Sequence, residues 1–471
     1  MLHPPLSLLP DDLIAYIVEH VAKLPFQGGC LHNLSITDRA FTQFCQSYIF
    51  RTLSLSHDWR KGRTFKKLEK LAKILNTKPQ FANQVRVVDL SISRSDNAWL
   101  FDDPSLLTIL QMLAKSLVPP HEIRFGANTY TLLTIEDPIL MVGRLTRSFF
   151  SQTLTTLHLT RCTNVPLPLF LICPGLKEVV LDRVGVTEIT YETYPDKQCF
   201  GRKAPSLEIF DFRDSESLVN QMITPPSRFH TPVILWSKLR ILTLSPHEEE
   251  EMDCLQLILD EACESLEELH LTNLHDTMGR SEQLPLACFV NLNNLTNLRV
   301  FALYAIIECN AEWSWVLDDI NAVLRTIPTS NQIMDLSFDF TISSDYSFDE
   351  CLGQDWAGLI NEAIRVSAGE PLELELNIKV TGGIGYNNPR RAELFASIME
   401  KTKLVAKYSN ICTHFWNPTY WAHGLDPSLR GQMSGNSILV YYPPTLTTPP
   451  APATCLRHSS PSIVQGQFHF S

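Results

Sequence analysis

One short phrase recurs along most of this 471-residue chain: an apolar residue, any residue, and a second apolar residue. Its copies lie at residues 88–90, 123–125, 157–159, 179–181, 210–212, 242–244, 269–271, 301–303, 336–338 and 374–376, at steps of 22 to 38 residues. A leucine stands three residues before the first apolar position in several copies, namely Leu154, Leu176, Leu207, Leu239, Leu266 and Leu298. Recurrence at this period indicates stacked repeats, each of which buries its apolar side against its neighbours.

Segments with helical spacing of apolar residues lie between copies of the phrase, at residues 256–263, 315–325 and 356–366. Short strands that alternate with helices predict the α/β class. Stacked strand–helix units form a curved solenoid, so we expect parallel strands on a concave face and helices on a convex face. An ordinary α/β sheet would explain the alternation but not the leading leucines. The solenoid is expected to occupy residues 56–405.

Residues 5–55 precede this series of copies and predict a separate small helical domain, the head. Pro10 stands where a helix would begin, followed by Asp11 and Asp12 in the first turn, where proline and carboxylates are both favourable. The apolar stripe of this helix consists of Leu13, Ile14, Ile17, Val18 and Val21. A segment this short cannot bury such stripes within itself, so part of them must contact the rest of the chain or another protein.

Three motifs of the head follow one another in a fixed order. They are residues 9–14 (LPDDLI), residues 34–36 with 39–41 (LSI and RAF), and residues 49–53 (IFRTL). In this order and at this spacing they resemble the F-box. The repeat pattern resembles the Leu-x-x-Leu-x-Leu core of leucine-rich repeats, and Cys162 stands where the shorter repeat types place Asn or Cys. Over about residues 5–405 the chain is similar to fungal F-box proteins with irregular leucine-rich repeats.

The resemblance implies a substrate-recognition subunit of an SCF-type (Skp–cullin–F-box) ubiquitin ligase. The head would bind a Skp-type adaptor, and through it the cullin, while the repeats would hold a protein target. The expected adaptor-binding residues are Leu9, Pro10, Leu13, Ile14, Ile17, Leu34, Ile36 and Phe50. The expected target-binding residues, which flank inward leucines on the concave face, are Thr156, His158, Asp211, Thr243 and His270. A scaffold of the same fold outside the ubiquitin system, or an enzyme with an unrecognised site, remains an alternative.

Composition narrows the classes of function. The formal net charge of −12 argues against a nucleic-acid partner, which requires clustered Lys and Arg. The twelve cysteines form no Cys-x-x-Cys pair and no zinc-type cluster with histidine, so reduced core cysteines are expected. No signal peptide and no membrane-spanning apolar run is recognisable, which predicts an intracellular protein in the cytoplasm, the nucleus or both, without a membrane partner.

A search for chemistry along the chain finds no catalytic constellation. The glycine-rich stretch 381–388 lacks the spacing of a phosphate-binding loop, and the acidic run 247–251 has no second histidine at helical spacing. We therefore expect no catalytic residue, no metal and no cofactor. Residues 389–401 predict a last capping helix. Residues 406–471, which include the proline-rich segment 443–452, predict an irregular and partly disordered tail.

Overall fold

The computed structural model describes residues 9–24, 27–55, 63–92, 99–127, 132–186, 203–225, 232–245, 249–273, 285–308, 316–343, 353–381, 397–398, 400–403, 408 and 410–416. Several predicted features lie outside these residues. They are the glycine-rich stretch after residue 381, the first part of the capping helix (389–396), the start of the acidic run (247–248) and the tail beyond residue 416.

Three helices form the head: α1 (Asp11–Ala22), α2 (Gln27–Thr37) and α3 (Arg39–Ile49). Helix α1 begins directly after Pro10, as the sequence predicts, and the carbonyl of Pro10 accepts hydrogen bonds from the N–H groups of Leu13 and Ile14. The Asp38 side chain caps α3 by accepting a hydrogen bond from the N–H of Ala40 at 2.9 Å. The buried residues of this head form a cluster of their own, which consists of Ile14, Val18, Leu31, Phe41 and Cys45.

A parallel sheet follows the head, and the order of its strands in space follows their order in the chain. The strands are β1 (Thr52–Ser54), β2 (Val87–Ile92), β3 (Glu122–Ala127), β4 (Leu133–Thr134), β5 (Thr156–Val165), β6 (Glu178–Val186), β7 (Ile209–Arg213), β8 (Ile241–Ser245), β9 (Glu268–Asn273), β10 (Val300–Glu308), β11 (Asp335–Ser343), β12 (Leu372–Thr381) and β13 (Ile411–Trp416). Among the strands that the structure describes, β4 alone leaves this order and pairs with β5. The sheet is open, with β1 and β13 at its two ends.

Helices lie between most of the successive strands. They are α4 (Arg63–Thr77), α5 (Trp99–Asp102), α6 (Pro104–Ala114), α7 (Pro138–Leu140), α8 (Arg147–Phe149), α9 (Pro168–Leu171), α10 (Glu216–Ile223), α11 (Glu249–Glu261), α12 (Leu286–Phe289), α13 (Val316–Thr326) and α14 (Trp356–Ser367). The three predicted helices correspond to α11, α13 and α14. The α/β class is therefore confirmed, and the chain-ordered parallel sheet is compatible with a solenoid.

Both ends of the sheet reach beyond the expected solenoid. Strand β1 was expected in the head, but its residues pair in register with β2, Leu53 beside Val88. Strand β13 was expected in the irregular tail, yet Ile411 pairs with Leu372 of β12. Backbone pairing with a neighbouring strand satisfies the N–H and C=O groups of these short segments. Strand β1 carries a copy of the phrase, because Leu53-Ser54-Leu55 starts in register with Val88, whereas β13 has Thr413 beside the first apolar position, Leu374.

The repeat phrase forms the core. Its first apolar positions are in register across neighbouring strands, so that Phe210 of β7 lies between Val179 of β6 and Leu242 of β8. These residues are fully buried, as is the leading leucine of each marked copy, and they pack with the helices in one continuous cluster. Each buried side chain of this size contributes about 1.5–3 kcal/mol relative to exposure to water. The leading leucines are thus explained by burial.

A backbone kink ends the regular part of three consecutive strands. Arg161, Arg183 and Asp214 each lie two residues after the second apolar position, and each has a positive φ, of 52°, 58° and 47° respectively. The kink turns the next residue inward, so that Cys162 and its counterparts Val184 and Ser215 are buried. Ser215 Oγ accepts a hydrogen bond from the N–H of Val184 at 2.9 Å and so links two repeats.

Candidate functional site

The strand residues that alternate with the buried positions lie on the opposite side of the sheet from the helices, and we call this side the open face. Register arranges its residues in rows across the strands. The first row, from β3 to β12, contains Glu122, Thr156, Glu178, Ile209, Ile241, Glu268, Val300, Asp335 and Glu373. The second row contains Arg124, His158, Val180, Asp211, Thr243, His270, Ala302, Ser337 and Glu375.

All five expected target-binding residues lie on this face, and four of them share the second row. Asp211, Thr243 and His270 are direct neighbours on β7, β8 and β9. His158 lies two strands before Asp211, with Val180 between them. Thr156 occupies the first row on the same strand as His158. Adjacent strands are about 4.8 Å apart, so the residues form one continuous band.

Charged groups surround His158 that the sequence analysis did not single out. Its Nε2 lies 3.7 Å from Glu122 Oε1 and 3.9 Å from Glu178 Oε1. Arg124 in turn pairs with Glu122 at 2.6 Å. Burial, and to a smaller extent Arg124, lowers the pKa of His158, while Glu122 opposes this effect. Burial raises the pKa of Glu178, although the hydroxyl of Thr156 donates to its carboxylate at 3.2 Å.

These missed residues occupy the same repeat positions as the predicted ones. Arg124 is the central residue of a phrase, as His158 is, and Glu122 and Glu178 each stand one residue before a phrase. These positions in every copy of the phrase are therefore candidates for the open face. The register between adjacent strands, which brings residues 22 to 34 positions apart side by side, cannot be read from the sequence.

Asp211 is a largely buried carboxyl on the second row. Burial raises its pKa to about 6, and the nearby carboxylate of Asp182 adds to the effect, while Arg213 opposes it. Arg213 lies 3.7 Å from Asp214, which also pairs with Arg183 at 2.9 Å. The open face of β5–β7 therefore mixes carboxylates with arginines.

The open face of β9–β12 has a different charge balance. Glu268, Asp335 and Glu373 lie on the first row, and Glu375 lies on the second. Burial raises the pKa of Asp335 to about 6. Repulsion from Glu373, Glu375 and Glu268, in decreasing order, raises it as well. On the next row, burial raises the pKa of Asp339, against a hydrogen bond from Asn377.

The expected adaptor-binding residues of the head differ in their exposure to solvent. Leu13, Ile17, Ile36 and Phe50 are exposed by 49, 37, 72 and 39%, and Pro10 is exposed as well. Leu9 and Leu34 are half-buried. Ile14 is only 2% exposed and belongs to the core of the head, so its side chain is not on the surface.

Tyr16 joins the exposed apolar surface of α1, although the sequence analysis did not select it. It is 58% exposed and shares a helix face with Leu13 and Ile17, because residues three and four apart are neighbours on a helix. Phe50 lies further along the chain, where its ring is 5.2 Å from that of Phe81. We call Leu13, Tyr16 and Ile17 the head patch.

Metal sites and membrane-spanning helices were also considered for the part of the chain that the structure describes. No group of three His, Cys, Asp or Glu side chains there could hold a metal ion, and no helix there is long and apolar enough to cross a membrane. An open depression of about 500 Å³ at the starts of β8–β10 is lined by paired charges such as Arg240 and Glu267. No family model matches the chain, and no curated protein matches it either.

Proposed function

We propose that the protein is a substrate-recognition subunit of an SCF-type ubiquitin ligase. The head patch carries the proposal: three large side chains are exposed side by side on a helix whose other side already packs in the core of the head. Contiguous apolar side chains on a surface mark a site of interaction with another protein. The order of the F-box-like motifs supports a Skp-type adaptor, connected to a cullin, as that protein.

The open face would hold the protein target in this proposal. A chain-ordered sheet presents a long, rigid surface, and binding there raises the effective concentration of a target lysine beside a recruited ubiquitin-conjugating enzyme. The chain would then need no catalytic group, metal or cofactor of its own. It would act in the cytoplasm, the nucleus or both.

Co-purification of the tagged full-length protein with a Skp-type adaptor tests the proposal. The double variant Leu13→Ala/Ile17→Ala should reduce adaptor binding by about tenfold or more, because buried apolar anchors carry most of an interface's binding energy. A Leu9→Ala/Pro10→Ala variant should likewise abolish co-purification. The Leu13/Ile17 pair lies outside the buried cluster around Val18 and Phe41, whereas Leu9 packs against it, so thermal unfolding should first show that the Leu9/Pro10 variant is folded.

A matched control removes exposed apolar side chains elsewhere. Leu117 and Val118, which follow α6, are exposed by 87 and 47%, and their replacement by Ala should leave adaptor binding unchanged. If the wild type does not retain the adaptor, or if the head variants retain it fully, the assignment fails. A scaffold role outside the ubiquitin system would then be favoured.

A further inference from the structure

A small apolar surface interrupts the polar open face at the middle of the sheet. Ile209 of β7 and Ile241 of β8 are direct neighbours in the first row, and Val180 of β6 lies in the second row on the strand beside Ile209. All three are half-buried. Among the described residues, they belong neither to the buried cluster of the sheet and helices nor to the apolar side chains packed against it. We call Val180, Ile209 and Ile241 the apolar island; contiguous apolar side chains on a surface mark a site of interaction.

Carboxylates flank the apolar island on both sides in the first row. Glu178 of β6 precedes it and Glu268 of β9 follows it. Each carboxylate has a neighbour that helps to position it: the hydroxyl of Thr156 donates to Glu178 at 3.2 Å, and His270 Nε2 lies 3.3 Å from Glu268 Oε2. The two glutamate side chains are still 33 and 38% exposed, so both can contact a bound partner.

The charge around the apolar island is of one sign. The first two rows of β6–β9 contain no Lys or Arg, and their eight residues are Glu178, Val180, Ile209, Asp211, Ile241, Thr243, Glu268 and His270. Two arginines just outside these rows are paired with other carboxylates: Arg213 lies 3.7 Å from Asp214, and Arg240 lies 2.8 Å from Glu267. The surface therefore complements a partner that combines an apolar group with basic groups.

The spacing of the three features suits an extended chain that crosses the strands. Neighbouring strands are about 4.8 Å apart, so Glu178 and Glu268, three strands apart, are separated by about 14 Å, with the centre of the isoleucine pair about 7 Å from each. Alternate residues of an extended chain project to one side about 6.6 Å apart, so positions i, i+2 and i+4 span about 13 Å. Such a segment presents its middle side chain to the island and one outer side chain to each carboxylate.

We propose that the apolar island binds an extended segment of the target protein in which a large aliphatic residue has a lysine or arginine two residues away on each side. The aliphatic side chain packs on Ile209 and Ile241, while the two cations pair with Glu178 and Glu268. The apolar anchor supplies most of the affinity, and the charges fix the register of the segment. This inference rests on the proposed function only in identifying the occupant as the target.

A fluorescein-labelled peptide with the sequence Gly-Lys-Gly-Leu-Gly-Lys-Gly is the probe. Its control, Gly-Gly-Lys-Leu-Lys-Gly-Gly, has the same composition and charge but places both lysines next to the leucine. We expect the full-length protein to bind the probe at least about fivefold more tightly than the control, because only the probe reaches the island and both carboxylates at once. Fluorescence polarisation measures both affinities. Equal affinity for the two peptides, or binding of neither, would overturn the proposal.

The variant Ile209→Thr/Ile241→Thr keeps the β-branched shape of both residues and should weaken binding of the probe by about tenfold. The control Val300→Thr makes the same kind of change in the same row, on the far side of Glu268, and should change the affinity by less than about twofold. If the control loses as much affinity as the double variant, the island is not the anchor site.

The variant Glu178→Gln/Glu268→Gln should weaken binding of the probe by about tenfold and make it less sensitive to NaCl. The control Glu69→Gln/Glu261→Gln changes the net charge equally on the exposed sides of α4 and α11, and it should change the affinity by less than about twofold. Equal losses in both would show attraction by net charge alone and would overturn the site. Thermal unfolding should show all these variants folded, because none replaces a buried apolar residue in the buried cluster of the sheet and helices.

Adaptor co-purification of the same variants separates this inference from the proposed function. All of them should retain the adaptor, because their substitutions lie outside the head. If the adaptor binds but the two peptides are not distinguished, the apolar island is not the docking site and the ligase role stands. If the peptides are distinguished but no adaptor binds, the docking site stands and the ligase role falls.

Discussion

Asp211 lies on the open face, yet its carboxyl is largely withdrawn from water. Burial, with Asp182 close by, raises its pKa to about 6 from an ordinary value of 3.8. The native state therefore binds more protons than the unfolded state between about pH 4 and pH 6, so this group's contribution to stability falls as the pH rises through that window. Above it, ionised Asp211 destabilises the fold. A residue kept at such a cost on a surface is a candidate for contact with a partner.

Replacing Asp211 by Asn removes the ionisation and keeps the shape. At about pH 7.5 the variant should be more stable than the wild type by about 1–3 kcal/mol, and at about pH 4 the difference should vanish. Thermal unfolding at the two pH values measures this. Glu69→Gln, on the exposed side of α4, should show no such pH-dependent gain. An equal change at both pH values would mean that something other than ionisation is responsible.

Among the single elements, the C-terminal end of helix α14 has an unfavourable backbone conformation. Helix α14 ends at Ser367, and the next residue, Ala368, has a φ of 46° and lies in the left-handed region. A residue with a Cβ atom pays about 1–2 kcal/mol there, whereas glycine does not. Gly369 follows with a φ of 89°, a conformation that suits glycine.

The substitution Ala368→Gly should therefore stabilise the protein by about 0.5–1 kcal/mol, since relief of strain exceeds the added freedom of the unfolded chain. Chemical denaturation followed by circular dichroism measures the gain. The same substitution at Ala363, buried inside α14, should instead destabilise by about 1 kcal/mol or more. A loss of stability at position 368 would contradict this account of the helix end.

Across the whole molecule, each strand other than β4 pairs with its neighbours in the chain-ordered sheet. Strand β9, for example, pairs with β8 and β10. Stability in such an arrangement is close to a sum over neighbouring units, so damage should stay local. The head adds a second buried cluster to the one that runs through the sheet and its helices.

Leu269→Ala would open a cavity in the middle of the sheet and should cost about 2–5 kcal/mol. Hydrogen exchange should accelerate most in β8–β10, while β2 and β3 keep their protection. Mass spectrometry of exchanged peptides can resolve these regions. Leu257→Ala, at a position of α11 that is 46% exposed, is the control and should leave exchange unchanged. Uniform acceleration across the sheet would instead indicate one cooperative unit.

The amino-acid pattern alone is enough to predict the repeat period, the α/β class and the start of α1. Leu154, Leu207 and Leu298 reveal the repeats because burial demands an apolar residue at the same place in each unit. Local rules suffice for these features: Pro10 suits the start of a helix because its missing N–H would have no helical partner there.

Packing between elements, by contrast, sets which side of each element is exposed to water and which distant residues contact one another. Ile14 and Leu13 are neighbours in one apolar stripe, but α2 and α3 pack against α1 so as to bury the first and expose the second. Likewise, Glu122, His158 and Glu178 meet because of the register between strands, and burial then shifts the pKa of His158 and of Glu178. Both results depend on packing between distant parts of the chain, which no local pattern encodes.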